Sequence, residues 1–185
     1  MLKKDTSTAS TQIPPAFRDR YVIRCIEESF GPSSKGNPLI TLEWEICGWQ
    51  APDGTLQETI VRSGKKYMIA GKRNIFSYFT LISGPSGNTY LEFREKAKLP
   101  ISEEGIDDSN PTLDHKDLVM NAILSTEELQ QRKALSEEEK EDLKAKGEPL
   151  LGKPILDDDG KPIITYRVKI DMFLGRSSVE INRPF

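Results

Sequence analysis

A chain of 185 residues with 26 Lys+Arg, 29 Asp+Glu, one His and two Cys has the length of one domain, or of one domain carrying a large insertion. With glycine counted, apolar residues make up about 43% of it, slightly under the usual ~45–50%, so a core can form while part of the chain stays solvated. No apolar run approaches the ~18 residues of a membrane span, and MLKKDTSTASTQIPP lacks the apolar stretch of a signal peptide, so an intracellular location is the expectation. Cys25 and Cys47 are too few for a disulfide framework or a zinc site, and both read as small buried hydrophobes. With His115 as the only histidine, placed in a polar stretch that reads as surface, Ser–His or Cys–His catalysis would rest on one residue. Composition argues against most hydrolases and metalloenzymes; neither catalysis, a metal nor a cofactor is expected.

Residues 1–16 are Ser/Thr-rich, end in Pro14–Pro15 and read as a disordered arm. Tyr21–Glu27, rich in β-branched and aromatic residues, reads as a strand, and the turn-forming cluster Gly31–Pro38 follows it. In the second strand Ile40, Leu42, Trp44 and Ile46 alternate with Thr41, Glu43 and Glu45, which puts Trp44 in the core and leaves Trp49 beyond the alternation. Pro52-Asp-Gly54 turns the chain into a third strand over 56–62. Asn74–Ile82, ended by Gly84-Pro85, fits a short helix, although a run this short and aromatic also fits a strand. Residues 85–116 look like loop, and 117–124 like a buried strand. Residues 126–146 carry the clearest helical signal, with a second start at Ser136-Glu-Glu-Glu139. The Asp159-Gly160 dipeptide closes a last hairpin. In its second strand Ile164, Tyr166, Val168, Ile170, Met172 and Leu174 are expected to face the core, with Arg167, Lys169 and Phe173 on the other side. The absence of βαβ spacing excludes a parallel sheet. The best match is a mainly β domain over 17–176, an OB-fold-like five-stranded barrel with a short capping helix. An acidic, partly helical insertion would occupy about 101–152, and 177–185 would form a tail.

Charge is segregated. Residues 1–100 hold 14 basic and 10 acidic side chains, 101–160 hold 7 and 17, and 161–185 hold 5 and 2. Between Glu58 and Glu92 there is no acid at all, yet Arg62, Lys65, Lys66, Lys72 and Arg73 stand there, with Tyr67, Phe76 and Tyr78 among or just beyond them. Cations that follow phosphates, together with aromatic faces on which bases stack, are what binding of a single strand requires. Arg167, Lys169 and Phe173 offer a second contribution, Arg24 and Lys35 a third from the first strand and the first inter-strand loop, and Trp49 a further ring. At least half of these rings are expected to be core, Phe79 and Trp44 foremost. The triple Asp157, Asp158, Asp159 is read as a polar hairpin loop rather than a metal site, because Gly160 follows it.

Two stretches carry a resemblance. Tyr21-Val-Ile-Arg-Cys-Ile-Glu-Glu with Ser34-Lys-Gly-Asn-Pro-Leu-Ile-Thr-Leu-Glu-Trp-Glu-Ile46, and Gly152–Ile163 with Tyr166-Arg-Val-Lys-Ile170, together about a third of the chain, resemble the opening hairpin and closing strands of phage-encoded single-stranded-DNA-binding proteins. The resemblance implies an OB-fold that coats single-stranded DNA without sequence preference during viral replication, recombination and repair, with no catalysis. It further implies recruitment of replication or recombination proteins through an acidic tail tipped by an aromatic. Here the chain ends in Pro184-Phe185, but its last ten residues hold only Glu180 as an acid, beside Arg176 and Arg183. The acidic segment 101–160 is the other candidate for that role, competing with DNA for the basic face. The rival function is an acidic protein that mimics nucleic acid and blocks a host enzyme; a metal-dependent nuclease is a third.

Overall fold

The computed structural model describes residues 16–179; the expected N-terminal arm, apart from Ala16, and the terminal Phe185 lie outside them. In chain order the elements are β1 (Asp19–Pro32), β2 (Pro38–Gln50), β3 (Leu56–Gln57), β4 (Thr59–Arg62), β5 (Lys65–Met68), β6 (Ile75–Thr80), α1 (Pro85–Lys96), β7 (Val119–Gln130), α2 (Glu137–Ala145) and β8 (Ile164–Arg176). The protein is mainly β. Contacts divide the described residues into a larger unit, 16–126 with 168–179, and a smaller one, 127–167. No helix among them is long and apolar enough to cross a membrane.

The larger unit is built on an antiparallel sheet ordered β3-β2-β1-β7-β8, with β6 also paired to β2. Strand β1 lies between β2 and β7, β2 also pairs with β6, and β7 returns by a long connection to lie beside β1, which is a Greek-key order once the short β3, β4 and β5 are set aside. The expected core face of β2 is realised, with Ile40, Leu42, Trp44 and Ile46 fully buried, but Glu45, expected on the polar face, is buried too, where it meets Arg24 at 3.2 Å. The four apolar side chains meet Tyr21, Ile23 and Cys25 of β1, Met120, Ala122 and Leu124 of β7, and Tyr90 and Phe93 of α1. Trp44 donates its indole N–H to Ser77 Oγ at 2.8 Å, which satisfies the one polar atom the ring brings inside. Cys25 and Cys47 are both buried, and burial pushes the Cys25 thiol up to about 12, far from reactive thiolate.

Several local expectations are corrected. The segment 74–82 is strand β6, because β2 offers it a free edge over Leu39–Trp44. The helix comes one segment later, where Pro85 opens α1 after Gly84, whose φ of 102° only glycine adopts easily. The third strand is interrupted: β3 pairs with Trp49–Gln50, and β4 folds back on β5 through Ser63-Gly64, both with positive φ, as a two-residue hairpin of this hand requires. Replacing Gly64, at φ 74°, by Ala should cost about 1 kcal/mol, read as a Tm lower by roughly 2–4 °C; an unchanged Tm contradicts the turn. Residues 126–130 continue β7 instead of opening a helix, and the helix comes only at the expected second start, where Ser136 caps α2 and its Oγ accepts from Glu139 N–H at 3.2 Å. On β8 the alternation breaks. Val168 points inward and Ile170 packs against the core, but Met172 is exposed, and Phe173 packs on Trp44 and Phe93 at 5.4 and 4.9 Å between ring centroids.

His115 is fully buried, against the expectation of a surface residue. Its Nδ1 meets Glu28 Oε2 at 2.8 Å and its Nε2 meets the Tyr90 hydroxyl at 2.7 Å. A carboxylate only accepts, so Nδ1 donates to Glu28, and Nε2 and the Tyr90 hydroxyl share the second hydrogen bond. Tyr90 in turn accepts from Arg94 at 3.2 Å, and Arg94 holds Asp114 through two bonds of 2.9 Å. The polar sequence around His115 is thus a lock that ties the 97–118 connection to β1 and α1. Its polar character reflects partners inside the protein.

In the smaller unit, segments 131–133, 153–157 and 161–163 hydrogen-bond to one another: Gln131 N–H to Ile163 O, Lys133 N–H to Lys153 O, Asp157 N–H to Lys161 O. Asp157 Oδ1 also accepts from the N–H of Asp159 and of Lys161, so the triple aspartate does form the expected hairpin loop. None of the residues 127–167 is buried.

Candidate nucleic-acid interface

Strand β6 sends Ile75 and Phe79 into the core and, by the period of two, Phe76 and Tyr78 away from it. These two rings are 41% and 61% exposed. Their centroids are 6.2 Å apart and their planes differ by 22°, so two nearly parallel π-faces stand side by side on the outer sheet. The next positions across the sheet differ. Tyr78 lies opposite Thr41, which lies opposite Ser29; Phe76 lies opposite Glu43, which lies opposite Glu27.

The connection from β5 to β6 carries the two cations nearest to these rings in sequence. Gly71 N–H and Lys72 O bond to the backbone of Ile46, which holds this loop along the edge of β2. Arg73 is exposed, with Nε 3.7 Å from Glu45 Oε1. Beside it is a cleft of about 330 Å³ lined by Arg24, Glu27, Glu43, Arg73, Lys116 and Asp117, three cations against three acids. The cleft therefore brings no net attraction for phosphate. If a single strand runs along this face, removing one of the acids should help it: Glu43→Gln would then tighten oligo(dT) binding about 2- to 5-fold at low salt, with the gain lost at high salt. Equal affinity of the two proteins by anisotropy would place the strand elsewhere.

The other expected residues fall into two kinds. The arginines are engaged in the fold. Arg24 is largely buried between Glu45 at 3.2 Å and Asp117 at 3.7 Å. Arg62 pairs with Asp19 and lies over the rings of Phe17 and Trp49, 5.7 and 5.5 Å from their centroids. Arg167, in the smaller unit, pairs with Glu127 at 2.7 Å. Tyr67 packs on Phe17 at 5.1 Å, Trp49 is half-buried with its Nε1 enclosed, and Phe173 is partly buried against the core cluster, so none of these three presents an open face like those of Phe76 and Tyr78. The lysines are differently placed. Lys65 and Lys66 follow the Ser63-Gly64 turn in the open, and Lys35 stands exposed in the β1–β2 loop beside Gly36. Lys72 is half-buried, and Lys169 is exposed with Nζ 3.7 Å from Asp171.

Two exposed apolar side chains on the β4–β5 hairpin, Val61 and Met68, escaped the sequence reading. The hairpin's short alternation, with Ile60 and Tyr67 turned inward, would have identified them once Ser63-Gly64 was recognised as a turn. The Glu28–His115–Tyr90–Arg94–Asp114 network left no sequence signal, since its members come from β1, α1 and the connection after it. Among the described residues no group of three or more His, Cys, Asp or Glu could hold a metal ion. The chain matches no protein-family model, no curated protein and no solved structure.

Proposed function

We propose that this chain is a non-catalytic single-stranded-DNA-binding protein of the OB-fold kind. It would coat DNA without sequence preference during viral replication, recombination or repair, inside the host cell. The pairing order supports the fold. Taking β1, β2, β6, β7 and β8 as the five principal strands gives a Greek key ordered third-second-first-fourth-fifth, with α1 between the third and fourth. An OB-fold is a partly open five-stranded Greek-key barrel that binds oligonucleotides on its second and third strands and on the loop between its first two. The open seam falls between the third and fifth strands. Phe79 and Phe173 approach across it to 6.5 Å, and Phe93 of α1 packs on both.

The observation that carries the function is the pair of exposed, near-parallel rings of Phe76 and Tyr78 on the third of these strands. Base stacking on such rings contributes about 1–3 kcal/mol per base and tolerates any sequence. Lys35, Lys65, Lys66, Lys72 and Arg73 would supply the phosphate contacts. Fluorescence anisotropy of labelled oligo(dT), without metal and at several salt concentrations, tests this. Five phosphate contacts on a single strand predict log K falling against log salt with a slope of about −3.5, with duplex bound far more weakly. No binding at low salt would favour the acidic-mimic reading, and loss of the oligonucleotide on adding Mg²⁺ would favour a nuclease.

A further inference from the structure

The outer face of strands β1, β2 and β6 carries two adjacent rows of unlike chemistry. Strand register sets Tyr78 beside Thr41 and Ser29, and Phe76 beside Glu43 and Glu27. The inner face is filled by Ile40, Leu42 and Trp44 of β2 and by Ile75 and Phe79 of β6, while Glu28 turns inward to His115. The six residues of the two rows therefore point outward together. Directly opposed side chains on neighbouring strands stand about 5 Å apart, so a base lying on either ring has the polar groups of that row within reach. Among the described strands β6 pairs with β2 alone, so those groups flank the rings on one side and the free edge of the sheet lies on the other.

The two rows make different demands on a base. The hydroxyls of Thr41 and Ser29 donate or accept, so the Tyr78 row suits the edge of any base. Ionised carboxylates only accept, so the Phe76 row suits a base that presents an amine and opposes one that presents a carbonyl. The arginines of the adjoining cleft are drawn elsewhere, Arg24 to Glu45 and Asp117 and Arg73 to Glu45. The carboxylates also repel phosphate, which turns the backbone of a bound strand toward the free edge of β6 and the base edge toward Glu43. We infer that Glu43, with Glu27 behind it, makes the Phe76 position selective for bases with an exocyclic amine, cytosine above thymine or uracil. The inference rests on the single-strand reading above and deepens it. Coating stays general because the Tyr78 position takes every base; the bias lies at one of the two stacking positions.

The probes are labelled oligo(dC) and oligo(dU), whose pyrimidine rings carry an amine in the first and a carbonyl in the second at the same position. Anisotropy with the full chain at pH 8, where cytosine is unprotonated, gives the ratio of the two affinities. Phosphate repulsion acts on both oligonucleotides alike and cancels in that ratio. Glu43→Thr with Glu27→Ser turns the Phe76 row into a copy of the Tyr78 row. The parent should favour oligo(dC) over oligo(dU) by a ratio about 5-fold larger than this variant does. Equal ratios in the two proteins overturn the inference and leave single-strand binding standing. Absence of binding to either oligonucleotide by the parent at low salt removes both. A second measurement needs no variant: an oligonucleotide of 2-pyrimidinone, the cytosine ring without its amine, should bind the parent clearly more weakly than oligo(dC). Binding as tight as that of oligo(dC) overturns the inference.

Discussion

If bases stack on the outer face of β6, a protein with Phe76→Ala and Tyr78→Ala should bind oligo(dT) at least about 30-fold more weakly than the parent, while its Tm and the salt slope of its remaining binding stay close to the original. Each ring contributes about 1–3 kcal/mol if a base stacks on it, so removing both costs at least about 2 kcal/mol, or about 30-fold, when each ring carries its own base. Stability is spared because both side chains point away from the core, which Ile75 and Phe79 fill from the opposite face of β6. The unchanged slope separates stacking from charge, since neither substitution removes a cation. Affinity within about 2-fold of the parent would mean that bases do not use this face. Tyr78→Phe should be nearly neutral, because the stacking surface remains.

Arg94→Met should cost about 3 kcal/mol of stability at neutral pH and lower Tm by roughly 6–12 °C. The guanidinium is almost fully enclosed and serves Asp114, the Tyr90 hydroxyl and the Pro100 carbonyl together. Its removal leaves all three short of a donor in a place where water does not freely replace it. The hydrogen bonds from Arg94 hold the Asp114 carboxyl below its ordinary pKa, and burial opposes them only in part. A depressed acid contributes stability that is present above the ordinary value of about 3.9 and is lost as pH falls through the folded-state value. The stability gap between the parent and Arg94→Met, measured by urea denaturation, should therefore narrow below about pH 4. A gap independent of pH would show that Asp114 is not the partner that matters.

How much of this was legible in the sequence depends on whether a residue's neighbours are close along the chain. Strand β2 was, because alternation is a local pattern and its core face is continuous from Ile40 to Ile46. Strand β6 was ambiguous, since what selects it as a strand is the free edge of β2 over thirty residues earlier. Gly84-Pro85 was read as the end of a helix, although a proline in the first turn serves equally to begin one, as it does for α1. Glu127, Glu128, Leu129 and Gln130 have good helix propensity, but they continue a strand whose ladder is already established from Val119. The basic window was visible as a sum of charges. Which cations are open to solvent was not, because Asp19, Glu45 and Glu127 pair with the arginines from other strands while Lys65 and Lys66 stand at a hairpin tip. The alternation on β8 misassigned Phe173, which the chain turns inward after Met172 to meet Trp44, Phe79 and Phe93.

The most direct measurement is ultraviolet cross-linking of oligo(dT) to the full chain, followed by tryptic digestion and mass spectrometry of the nucleotide-bearing peptides. Trypsin cleaves after Arg73 and next after Arg94, so Phe76 and Tyr78 share one peptide, and fragmentation distinguishes them. A thymine stacked on the outer face of β6 predicts the cross-link on Phe76 or Tyr78. A protein that binds oligo(dT) and cross-links only outside residues 74–94 would contradict the assignment of this face.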